Sequence, residues 1–232
     1  EVLPGLLERR TRVYYHLGRD TDFDLKLIGW LNRVREQMRM GAQPPHEFLE
    51  LGHLLDEMRL FKAREELVVM RRAAAISMRA HAAAMRAVQP EMYEFELQAA
   101  LEYTFRRHGA EPAYESIVGA GANACVLHYR DNRARIDAGD LVLLDAGAEY
   151  LGYAADITRT FPASGRFSRE QRALHDLVCM AQRAALEQAR PGLPFENIHE
   201  ASVRTLSEGL LRLGLLKGSV EKIISPTEVA FS

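Results

Sequence analysis

Lysine is nearly absent. In 232 residues it occurs only at Lys26, Lys62, Lys217 and Lys222, so almost every cation is an arginine. Neither sign of charge dominates: 30 basic residues face 32 acidic ones, for a formal net charge of −2. That balance leaves no electrostatic footprint for nucleic acid or for an anionic membrane surface. Cysteine is scarcer still, at Cys125 and Cys179 alone. Both lie in apolar company without metal-ligand spacing, which reads as two free, buried thiols in a reducing, cytoplasmic setting. No apolar run approaches the ~18 residues of a spanning helix, and no signal-peptide pattern is present, so the sequence predicts a soluble protein. The glycine-rich stretch Gly119-Ala120-Gly121-Ala122-Asn123 lacks the Lys-Ser/Thr ending of a phosphate-binding loop, and no helix is predicted after it.

The informative stretch is Leu141 to Pro162, LVLLDAGAEYLGYAADITRTFP. Four consecutive apolar residues, Leu141 to Leu144, predict a strand buried on both faces. Tyr150-Leu151-Gly152-Tyr153 predicts a tight turn, with glycine where a positive φ is required. A second strand, rich in Thr and Ile, runs from Ala154 to Phe161 and stops at Pro162. If Leu151 and Gly152 form the loop, Gly147 lies opposite Asp156 and Asp145 opposite Thr158. Asp145 and Asp156 are then diagonal neighbours on one face, with open space expected above Gly147. A slip of one residue would send them to opposite faces. Two carboxylates converging at about 4 Å, with an effective dielectric of about 20, repel by about 4 kcal/mol. A sheet accepts that if a proton is shared or a cation lies between them. A wet hairpin face would show the same spacing, but the apolar opening of the strand argues against one.

Around this hairpin the chain reads as follows. Arg12 to Leu17 predicts a strand, and Phe23 to Met40 a helix capped by Asp20, Thr21 or Asp22 and stopped at Gly41. A long helix from Ala63 to Val88 is expected to bury Leu67, Met70, Ala74, Met78 and Met85, with His81 near that stripe in a structural role. Another runs from Glu94 to Arg107 with Phe95, Leu97, Leu101 and Phe105 inward, ending at Gly109. Strands are predicted over Ser116–Gly119 and Cys125–Tyr129. Later helices span Phe167 to Ala189, opened by a Ser168/Gln171 capping box, and Glu196 to Leu213. Their apolar stripes include Leu174, Leu177, Val178 and Leu186, then Val203, Leu206 and Leu210, and these must pack on something.

The hairpin DAGAEYLGYAADITRTFP resembles the first metal-binding hairpin of the creatinase/aminopeptidase P family, the pita-bread metallopeptidases. The upstream segment SIVGAGANACVLHY resembles the part of that family carrying an active-site histidine, here His128, and Leu54 to Lys62 resembles the family's entry into the peptidase domain. The resemblance implies an α+β pita-bread fold, present as the first half plus the helices of the second half. It also implies the tail of an N-terminal α/β domain over 1–55 and an incomplete metallopeptidase domain over 56–232. It further implies two divalent metal ions, manganese the expected metal, with Asp145 binding one ion and Asp156 bridging both. His128 becomes the catalytic candidate, approaching the scissile carbonyl as a donor.

The activity so implied is removal of the N-terminal residue from peptides whose second residue is proline. A prolidase acting on Xaa-Pro dipeptides and a non-catalytic binding protein of the same fold are the alternatives. Intact aspartates argue against creatinase, and residues 1–60 argue against the methionine aminopeptidases, which lack the N-terminal domain. The family's remaining ligands, a histidine and two glutamates, have no counterpart in context here. His199, Glu200, Glu208, Glu221 and Glu228 read as solvent-facing helix or tail residues. The chain is therefore expected to be part of a longer enzyme, inactive by itself, completed by a missing segment or found in a homo-oligomer. Its expected partner is a proline-containing peptide, with no nucleic acid and no membrane.

Overall fold

A computed structural model describes residues 2–224. The chain falls into two compact units, Glu1–Val68 and Val69–Ser232.

In the first unit, α1 (Val2–Leu7) precedes β1 (Arg12–Tyr14), α2 (Thr21–Glu36), β2 (Glu47–Leu49) and α3 (Leu51–Leu60). Asp20 caps α2, its carboxylate accepting from the Phe23 amide at 3.0 Å. The helix gives way to a 3-10 turn, Met38–Met40, that ends on left-handed Gly41. β1 is shorter than expected and pairs in parallel with β2, which the sequence did not announce. Parallel pairing across an intervening helix makes this a βαβ unit. Leu7, Leu27 and Val34 form its small core, flanked by Val13, Tyr15 and Trp30.

The second unit is organised on a four-stranded antiparallel sheet. After α4 (Arg64–Ala87) and α5 (Glu94–Arg107) come β3 (Glu111–Pro112), β4 (Ile117–Ala120), β5 (Leu141–Tyr150) and β6 (Tyr153–Pro162). β5 is central: β6 lies along one edge, and β4 and β3 share the other. Side chains alternate along β5. Val142, Leu144, Ala146 and Ala148 are buried in the core with Ile76, Ala80, Leu97, Leu101 and Phe105 of the helices, while Leu141, Leu143 and Asp145 point the other way and are half-buried. The strand is therefore buried on one face, not on both as the LVLL run suggested.

The buried stripe of α4 also differs from expectation. Met78 and Met85 are exposed, and the inward residues are Ala73, Ile76, Ser77, Ala80, His81 and Ala84. Small side chains let α4 lie close enough for its two polar members to reach the backbone of the hairpin. The Ala148 amide donates to Ser77 Oγ at 2.9 Å, and that hydroxyl donates to the Ala155 carbonyl at 3.3 Å. His81 Nε2 meets the Ala146 carbonyl at 3.0 Å. His81 is thus structural, as its place near the stripe implied.

Burial lowers the His81 pKa from its ordinary value, outweighing the hydrogen bond to Ala146, which raises it. The unfolded chain then binds a proton that the folded chain refuses. Stability from this group is complete above the unfolded value of 6.5 and falls as pH drops below it. Thermal melts from pH 8 to pH 5 are expected to lose more for the parent chain than for His81→Asn; equal pH slopes would contradict this.

α6 (Arg169–Gln188) opens on the expected capping box, with the Gln171 amide donating to Ser168 Oγ at 3.2 Å and the Ser168 amide to Gln171 Oε1 at 2.9 Å. It packs against α7 (Glu196–Arg212), where Leu177 lies over Gly209, and α8 (Val220–Ile224) follows. Of the apolar stripe on α6, Leu177 is buried, but Leu174, Val178 and Leu186 remain exposed.

Candidate metal centre

The β5–β6 hairpin closes through Leu151 at φ 51° and Gly152 at φ 83°. Positive φ at both central residues is the type I′ geometry that matches strand twist. Tyr150 faces Tyr153, Gly147 faces Asp156 and Asp145 faces Thr158, which is the register expected from the sequence. Asp145 and Asp156 accordingly share the face turned away from α4 and α5.

The space above Gly147, expected to be open, is filled. A Cβ at that position would lie 1.9 Å from the Ala155 carbonyl oxygen and 3.2 Å from the ring of Tyr114. Tyr114, in the link between β3 and β4, is the residue that sequence reasoning missed. Its hydroxyl lies 2.7 Å from Asp145 Oδ1 and 2.8 Å from Asp156 Oδ1. Nothing in periodicity marks a tyrosine in a short polar link, so only the fold could reveal it. Burial, reinforced by the two carboxylates, pushes its phenol pKa well above the ordinary range, so the hydroxyl keeps its proton.

One hydroxyl has one proton, while two carboxylate oxygens compete for it. The cluster is therefore short of positive charge, and oxygen donors of this kind suit a hard divalent cation. In that respect the residues fit a metal. They do not complete a site: among the described residues no group of three or more His, Cys, Asp or Glu side chains could hold an ion. His199, Glu200, Glu208 and Glu221 are exposed on α7 and α8, and Glu228 lies outside the described residues.

His128 also departs from expectation. Cys125–Tyr129 is not a strand; a 3-10 helix, Gly121–Cys125, runs into an irregular turn. A strand needs a ladder partner, whereas this segment bonds to itself, Val126 N–H to the Asn123 carbonyl and Tyr129 N–H to the Val126 carbonyl. His128 is exposed with φ 54°, a left-handed conformation uncommon outside glycine. It and Asp145 line one cleft of about 230 Å³ together with Ile117, Leu143, Thr158 and Cys125. Asp145 thus belongs to both groups, facing Tyr114 beside Asp156 and the cleft beside His128. The thiols are free, but Cys125, at the end of the 3-10 helix, is exposed and Cys179 is half-buried, contrary to the expected burial.

Residues 68–223 match the model of metallopeptidase family M24. The chain belongs to that family. The Xaa-Pro aminopeptidase of Escherichia coli is 41% identical over 226 residues, which are 97% of this chain and 51% of that protein. The structure of Pseudomonas aeruginosa aminopeptidase PepP superposes with a TM-score of 0.92 at 54% identity, covering 96% of this chain and 50% of that one. A zinc-substituted E. coli aminopeptidase P in complex with product gives a TM-score of 0.91 at 40% identity, with 96% and 51% covered. This M24 chain spans about half the length of the curated relatives it matches. Its mixed helix-and-sheet architecture is that part of the pita-bread fold, and membership of a metallopeptidase family implies divalent metal. No helix among the described residues is long and apolar enough to cross a membrane.

Proposed function

We propose that the whole protein is a two-metal aminopeptidase that removes the N-terminal residue from peptides with proline in second place, with manganese as the working metal. The observation that carries this reading is the convergence of Asp145 and Asp156 on one hydroxyl oxygen, beside a cleft that His128 shares. The names of the relatives, Xaa-Pro aminopeptidases at about twice this length, support the substrate class.

Asp145 and Asp156 would hold the ions, one carboxylate each from neighbouring strands of a rigid hairpin. Divalent ions, when bound, polarise a carbonyl and lower the pKa of water toward about 7. Tyr114, whose hydroxyl lies within hydrogen-bond distance of both carboxylates, would donate its one proton to either of them and so help orient the pair. His128, which lines the cleft with Asp145 and Thr158, would donate to the oxygen on which negative charge develops as the scissile carbonyl is attacked.

His128→Ala is expected to lower kcat of the whole protein by about 10²–10³ while leaving metal affinity unchanged. Steady-state kinetics beside a manganese titration would check both halves, and a fall in metal affinity would remove His128 from this role.

The decisive experiment is Mn²⁺-dependent hydrolysis of a Xaa-Pro-Xaa peptide and a Xaa-Pro dipeptide by the whole protein and by the 232-residue chain. The whole protein is expected to cleave the longer peptide, with the 232-residue chain at background. Preference for the dipeptide would make the protein a prolidase, and no cleavage of either would make it a binding protein. Equal rates from the two chains would show that two carboxylates suffice.

A further inference from the structure

Glu94, the first residue of α5, has a fully buried side chain. Its carboxylate accepts four hydrogen bonds: Oε1 from the Ala120 amide at 2.9 Å and Asn123 Nδ2 at 3.1 Å, Oε2 from the Tyr129 hydroxyl at 2.8 Å and the Ala134 amide at 2.9 Å. Four is the full complement of an ionised carboxylate. Its own amide donates back to the Ala134 carbonyl at 3.0 Å. Sequence periodicity put Phe95 inward on this helix. Instead Phe95 is exposed, stacked on Tyr93 at 5.1 Å, and the acid takes the core position.

The four donors have a common location. Ala120 and Ala134 bracket the irregular segment between β4 and β5, and Asn123 and Tyr129 lie inside it. That segment carries His128, and its outer residues Val126, Leu127 and His128 are exposed, so they gain little from packing. A left-handed non-glycine backbone persists only where its surroundings over-determine it. Tyr129, directly after His128, is tied at its hydroxyl to Glu94 and again to Asn123 Nδ2 at 3.0 Å. A second peg stands alongside: Asn132 Oδ1 accepts from the Val118 amide, and its Nδ2 donates to the Ser116 carbonyl and to Gln98 Oε1 of α5.

We infer that Glu94 is the positioning residue of the catalytic turn, a buried anion on α5 that gathers four donors so that His128 is presented to the cleft in one conformation. This rests on the proposed role of His128 and adds to it the group that sets the histidine's place.

The test uses two variants. Glu94→Gln keeps the shape but turns one acceptor oxygen into an NH₂ group facing donors. Tyr129→Phe removes a single donor and guards against a variant that fails to fold. Hydrogen exchange on the whole protein is expected to accelerate by at least about tenfold over residues 120–134 in both variants, with β5 and α4 unchanged. In the whole protein, Glu94→Gln is expected to lower kcat/KM by about tenfold or more, and to cost little further in a His128→Ala background. Unchanged exchange in the turn, uniform acceleration across the chain, or an equal loss on both backgrounds would overturn the inference. If the whole protein cleaves no peptide, the proposed activity fails, and the exchange pattern still decides whether Glu94 holds the turn.

Discussion

Asp156→Asn is expected to lower kcat/KM of the whole protein on a Xaa-Pro-Xaa peptide by more than about 100-fold, beyond what loss of a supporting group costs. The same change should leave the metal-free protein as stable as before, or more stable. Asparagine is isosteric, and its carbonyl oxygen can still accept the Tyr114 hydroxyl that lies 2.8 Å from Asp156 Oδ1. What it removes is one of two like charges, whose repulsion at about 4 Å and a dielectric of about 20 is about 4 kcal/mol, reduced here by solvent because Asp156 is exposed. A carboxylate pair that exists to grip cations destabilises the apoprotein and is relieved by metal. Thermal melts should therefore show a parent that gains about 2.7 kcal/mol at a metal concentration of 100 times Kd, and a variant whose gain needs far more metal. Equal metal affinity in parent and variant would refute a ligand role for Asp156.

The second large effect is at Gly147. Gly147→Ala places a methyl group 1.9 Å from the Ala155 carbonyl oxygen, a backbone atom held from behind by Ser77 Oγ. Neither strand can give without breaking the register that puts Asp145 and Asp156 on one face. The expected cost exceeds about 3 kcal/mol, above ordinary overpacking. Gly139→Ala is the control: its Cβ meets nothing within 4 Å, and the cost should stay within about 0.5 kcal/mol. Denaturant unfolding of the three chains would separate the two cases, and a tolerated Gly147→Ala would mean that the hairpin is looser than described.

Much of the hairpin could be read from sequence because its determinants are local. Strand alternation has a period of two, and a two-residue turn at Leu151-Gly152 leaves a single register. The same holds for the Asp20 cap, the Ser168/Gln171 box and the glycine stop of α5, where the bonded groups lie within a few residues of one another. Reading failed where the partner is distant in sequence. Phe95 outranks Glu94 on any hydrophobicity scale, yet the acid is buried because donors from residues 120–134 converge on it. The Met residues of α4 fit an apolar stripe, but α4 turns its alanines inward so that Ser77 and His81 reach strand backbone.

By itself, the amino-acid order determined α2 and α4 to α7, the turn and the face shared by Asp145 and Asp156, since each follows from backbone periodicity and short-range hydrogen bonding. Only the tertiary structure decided that Tyr114 would stand between those aspartates and that a buried Glu94 would hold the histidine's turn. Those contacts join residues roughly 30 to 40 positions apart, and no local pattern encodes which distant donor an unsatisfied oxygen will find.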